Sequence, residues 1–209
     1  VLSPTAATAR RALGESKGTV YRLAALFSLD AFGGGFVITA FLVLWLKQRF
    51  GLSLAVSGAV FFWAGVLAAF SQLVAVRVAR RIGLIRTMVF THLPANALLV
   101  LAAFMPNAVL AVACLLGRAA LSQMDVPART SYVMAVVKPE ERPAAASVTN
   151  VPRSLAAALP PIAAGWMLHQ TTFGWPLVLG GAFKAIYDVL LLVQFRNVRP
   201  PEEQTLVTG

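Results

Sequence analysis

Six apolar runs, at about residues 20–46, 52–76, 84–104, 107–134, 144–168 and 174–195, constrain this chain more than any other feature. A helix needs about 20 mostly apolar residues to cross the hydrocarbon core of a bilayer, and each run supplies that length. Lipid offers no partner to a backbone N–H or C=O, so a segment of this kind satisfies its own polar groups as a helix. The chain is therefore expected to be an all-α integral membrane protein built as a six-transmembrane-helix bundle. Composition agrees: 58% of residues are hydrophobic and only 12% charged, too few polar groups to clothe a water-soluble surface. Three parts follow: an amino-terminal segment at 1–19, a transmembrane domain at 20–196 and a short tail at 197–209. No stretch is left over for a separate soluble domain.

The net charge of +10 does not point to nucleic acid, because the basic residues fall in small groups between apolar runs rather than along one solvated face. They read instead as a topology signal, since short cytoplasmic loops accumulate Lys and Arg. One side carries Arg10, Arg11, Lys17, Arg22, Arg77, Arg80, Arg81, Arg86, Arg129, Lys138, Arg142, Arg196 and Arg199; the other carries Lys47 and Arg49. That asymmetry places both termini in the cytoplasm of a multi-pass protein of the cell (inner or plasma) membrane. Residues 1–18 lack the apolar core of a secretory signal peptide, so the spans themselves direct insertion. The chain starts at Val1 rather than Met, as a fragment or a processed protein would. Cys114 is the one cysteine and lies in an apolar run, which excludes a disulfide framework or a thiolate metal site.

Asp30, Arg118, Asp125, Lys184 and Asp188 lie within or near the ends of the runs, where an uncompensated charge costs about 2.5–3.5 kcal/mol or more. Arg118, Ser122, Asp125 and Arg129 recur at helical spacing and would form one polar stripe on the fourth helix. Two readings stand: a wall of an aqueous path, with Arg118 holding an anionic or polar group, or a salt-bridge network that fixes helix packing. Asp30 precedes Gly33-Gly34-Gly35, and membrane glycines permit close helix contact or a local break that lines a cavity. Asp30 is either a proton-coupling carboxylate or an acid bonded to a neighbouring helix.

On the fifth helix Ser147, Asn150, Ser154, Ala158, Pro161 and Gly165 share one narrow face beside the Pro160-Pro161 kink. Lys184 and Asp188 are spaced to neutralise each other. His92 and His169 have no second ligand at metal spacing, so neither a metal nor a cofactor is expected. Nucleotide-binding, zinc-protease and serine-hydrolase motifs are absent from the sequence, which argues against ATP-driven transport and against an enzyme.

The turn Ala79-Arg80-Arg81-Ile82-Gly83-Leu84-Ile85-Arg86 resembles the G-x-x-x-D-R-x-G-R-R loop of the major facilitator superfamily, keeping Arg81 and Gly83 but placing Arg80 where the family has Asp. Leu116-Gly117-Arg118 with Gln123 and Asp125 is similar to the family's fourth-helix arginine motif. Pro127-x-Arg129 and Pro139-Glu140-Glu141-Arg142 resemble its following loop. Pro160, Pro161 and Gly165 echo its antiporter motif. The resemblance covers about residues 20–196 and implies one half of such a transporter, two inverted three-helix repeats, specifically the carboxyl-terminal half, with residues 1–19 a remnant of the central loop.

The expected function is then alternating-access transport of a small solute, proton-coupled and in the efflux direction. Asp30 and Arg118, with Ser122, Gln123, Asn150 and Ser154, would contact substrate or coupling ion. Arg81, Asp125, Arg129, Glu141 and Arg142 would form a cytoplasmic gate. The partners expected are the lipid bilayer, a small-molecule substrate, and an amino-terminal half or a second copy. The competing expectation is a non-transporting six-helix scaffold or receptor acting as a homodimer.

Overall fold

The structure is a computed structural model that describes residues 13–14 and 16–195. Arg10, Arg11, Arg196 and Arg199 of the charge asymmetry, and the tail at 197–209, lie outside the described residues. Among those described there are nine α-helices and no strand. In order they are α1 (Lys17–Gly35), α2 (Thr39–Phe50), α3 (Leu54–Ile82), α4 (Leu84–Phe104), α5 (Ala108–Ser122), α6 (Asp125–Val136), α7 (Arg142–Ala158), α8 (Pro160–Gln170) and α9 (Trp175–Phe195), with a 3-10 turn at Pro139–Glu141 before α7.

Among the described residues, five segments are long and apolar enough to cross a membrane: Lys17–Phe50, Leu54–Ile82, Leu84–Phe104, Ala108–Val136 and Trp175–Phe195. The remaining run, expected as a single helix at 144–168, is divided into α7 and α8. Proline explains the division, since Pro160 and Pro161 offer no N–H to the carbonyls of the preceding turn. Two of the five segments are also interrupted. Gln123 and Met124 separate α5 from α6, just ahead of Pro127, whose ring removes another helical hydrogen bond. The fourth helix is therefore not the continuous cylinder on which Arg118, Ser122, Asp125 and Arg129 would align; its polar residues are shared between two helices that meet at Gln123.

The third interruption, between α1 and α2, follows Gly33-Gly34-Gly35 and shows both glycine effects at once. A Cβ on Gly35 would stand 2.5 Å from the Ala157 carbonyl oxygen, and one on Gly33 would stand 2.9 Å from that of Gly180. Glycine thus lets α1 lie directly on the backbones of α7 and α9. The helix then loosens, with the Phe36 and Val37 N–H groups donating to the Gly33 and Gly34 carbonyls.

Two apolar clusters occupy opposite ends of the bundle. One gathers Val20, Leu23, Phe27, Met88, Val89, Tyr132, Tyr187, Leu191 and Phe195. The other gathers Phe36, Leu42, Trp45, Leu99, Ala103, Leu115, Leu168 and Leu177. Connections group accordingly. Phe173, before α9, packs on Phe104 and under the Arg49 guanidinium, bringing the connections after α2, α4 and α8 to one end. At the other end Glu141 reaches Gly14 and Ser16, ahead of α1. Between the clusters lies a buried polar layer.

Candidate functional site

Asp30 is the hub of that layer and is 4% exposed. Lys184 Nζ of α9 donates to its Oδ1 at 2.6 Å, and Arg129 Nη1 of α6 donates to its Oδ2 at 3.1 Å. Arg129 also lies 3.6 Å from Asp125 Oδ2, one turn earlier on α6, and its Cζ sits 5.5 Å from the centre of the Phe27 ring. Both carboxylate oxygens of Asp30 therefore face cations, and each cation is delivered by a different helix.

A second set adjoins the first. Asp188, fully buried on α9, accepts from His92 Nδ1 and from Asn96 Nδ2, each at 2.9 Å. His92 Nε2 lies 3.9 Å from Asp30 Oδ1, so the imidazole spans the two carboxylates. The edge of Tyr187 closes over it, with ring centres 6.0 Å apart. Four helices, α1, α4, α6 and α9, are tied together by one chain of charges. In a low-dielectric interior such pairs hold firmly while complete and are costly when one member is lost.

This arrangement corrects two expectations. Lys184 and Asp188 do not take each other as their near partner: Lys184 turns to Asp30, and Asp188 is bonded by His92 and Asn96. His92 is not isolated, because a carboxylate 96 residues away in sequence meets it at 2.9 Å. The sequence signal for His92 and Asn96 was their spacing of four residues within an apolar run, which puts both on one face of α4.

A recess of about 360 Å³ opens beside Asp30, lined also by Ala31, Gly34, Gly35 and Ile38 from the first segment, by Arg153, Ser154 and Ala157 of α7, and by Lys184. Small residues at Ala31, Gly34 and Ala157 leave this space. Ser154 thus joins Asp30 at one site. Arg153, a charge inside an apolar run, went unweighed in the sequence; its Nε is buried without a hydrogen-bond partner, as is that of Arg118. Ser122 is buried at the last position of α5, Gln123 lies at the break, and Asn150 is exposed on α7. No hydrogen bond joins these three to the network among the described residues.

The gate residues divide. Asp125 and Arg129 belong to the buried network. Arg81 is exposed in the last turn of α3, next to Gly83, whose φ of 87° suits glycine at that turn. Arg142 Nε donates to the Met134 carbonyl at 3.1 Å. Glu141 accepts from the backbone N–H of Gly14 at 2.9 Å and of Ser16 at 3.3 Å. Hydrogen bonds from the Ser16 side chain and from these two amides hold its carboxyl below the ordinary carboxylate value.

The sequence model described as Major Facilitator Superfamily matches residues 23–208. An uncharacterized membrane protein of Saccharomyces cerevisiae is 22% identical over 185 residues, which are 88% of this chain and 41% of the yeast protein. The chain therefore spans about two fifths of that relative. No solved structure matches it.

Proposed function

From the premise that this chain belongs to the major facilitator superfamily, we propose that it transports a small solute across the membrane by alternating access, as the carboxyl-terminal half of a secondary transporter. The observation that carries the reading is the pairing of a buried charge network with a solvent-sized recess at Asp30. A scaffold helix bundle gains nothing from an open space beside a buried, doubly paired carboxylate. Interrupted spans around a midplane site are a recurring device of secondary transporters, and all three interruptions here fall in segments that line or border the charged layer.

On this account α7 and α8 together make a sixth crossing, the spans form two inverted three-helix repeats, and both termini lie in the cytoplasm of the cell membrane. The separation of Glu141 and Gly14 at one end from Phe173, Phe104 and Arg49 at the other supports that alternation. The partner is an amino-terminal half or, where the natural protein is half-sized, a second copy. Asp30 couples transport to a proton gradient in the efflux direction: its partners Lys184 and Arg129 exchange against proton and solute as the halves rock. Asp30→Asn in the intact transporter is expected to abolish gradient-driven transport while leaving solute exchange. Wild-type gradient-driven flux in that variant removes Asp30 from the coupling step.

A further inference from the structure

We infer that the recess beside Asp30 receives an anionic solute bearing a carboxylate or phosphate group, with Arg153 as the group that holds it; this rests on the transport reading only in taking the recess as the solute site. Three charged side chains line the space: Asp30, Lys184 and Arg153. Lys184 and Asp30 already bond at 2.6 Å, and the second oxygen of Asp30 is held by Arg129. Among the described residues no acid pairs with Arg153, whose Nε is buried without a hydrogen-bond partner. The recess is lined by one acid, Asp30, and two bases, Lys184 and Arg153, so its wall carries more positive than negative charge.

A guanidinium left uncompensated within a membrane protein is unfavourable, and its planar fork matches a carboxylate or phosphate through two parallel N–H···O bonds. A neutral solute would leave that donor pair unmet, and a cationic one would add to the excess. At roughly 30 Å³ per water, 360 Å³ holds about a dozen waters, the scale of a small organic acid or phosphate. The small wall residues Ala31, Gly34 and Ala157 leave room for such a group, and Ser154 adds a hydroxyl donor.

The test uses the purified chain in nanodiscs of phosphatidylcholine, titrated at constant ionic strength with sodium phosphate, succinate, glucose or choline while thermal unfolding is followed. Phosphate or succinate is expected to raise the melting temperature saturably, whereas glucose and choline do not. Arg153→Gln is expected to weaken the anion effect at least tenfold, and Ala157→Leu, which fills the recess without changing a charge, to do the same. Arg49→Gln, at the far end, is expected to leave it unchanged. Repeating the titration with phosphatidylglycerol in the disc separates the sources. Loss of the soluble-anion effect there, with a higher melting temperature in the phosphatidylglycerol disc that Arg153→Gln and Ala157→Leu each abolish, identifies a lipid headgroup as the anion and overturns the solute assignment. No saturable anion effect in either disc, or one untouched by both recess variants, overturns the inference. Anion binding without flux of any solute in proteoliposomes overturns the transport reading alone; flux of neutral or cationic solutes that Arg153→Gln leaves intact overturns the anion inference alone.

Discussion

Single side chains in this bundle are fixed by partners far away in sequence, and their loss should show as stability. Asp188 has no exposed surface and relies on His92 and Asn96. His92→Ala is expected to destabilise the bundle by about 3–5 kcal/mol, the cost of breaking a buried charge contact by removing one side. Adding Asp188→Asn should recover most of that loss, because no charge then remains to be matched. Unfolding of the detergent-solubilised protein measures both, and an unchanged midpoint for His92→Ala would contradict the geometry. At Gly35 the neighbour is backbone, so it cannot move aside as a side chain would. Gly35→Val is expected to cost about 1–3 kcal/mol by overpacking, read in the same assay. Residue types were legible from sequence here: an acid, a histidine and glycines inside apolar runs. Their pairing was not, because Asp30 meets Lys184 across 154 residues and no local pattern encodes that contact.

Helices were legible where apolar length alone decides, as in α3, α4 and α9, and less so where proline or glycine competes with it. The break at Gln123 hid behind a periodic polar stripe, which suggested one continuous helix until Pro127 is taken into account. At the start of α1, Ser16 provides no side-chain cap, and Glu141 supplies acceptors to Gly14 and Ser16 from across the bundle. Its folded-state pKa is lowered, so the contact contributes above the ordinary value of 4.5 and is lost as pH falls through the lower, folded value. Amide protection at Gly14 and Ser16 is therefore expected to persist at neutral pH and to collapse in acid. Glu141→Ala should show low protection throughout. Hydrogen exchange over this segment checks it; equal protection in the variant would mean that other contacts hold the start of α1.

For the molecule as a whole, the charge asymmetry and the alternation of chain ends make one topological claim. With Cys114 replaced by alanine, single cysteines at Arg80 and Glu140, both exposed, are expected to react with a membrane-impermeant maleimide only from the cytoplasmic side. Cysteines at Lys47 and Thr172, also exposed, should react only from the opposite side. Labelling of all four from one side would contradict the six-crossing arrangement. The proposed coupling of solute movement to protons at the Asp30 network is read directly by flux. The intact protein is reconstituted in liposomes holding a pH-sensitive dye and exposed in turn to a panel of small anionic, neutral and cationic solutes. The account predicts a solute-dependent proton flux in the wild type that Asp30→Asn eliminates while solute exchange continues. Folded wild-type protein that moves neither protons nor solute with any member of the panel would contradict it and favour a non-transporting scaffold.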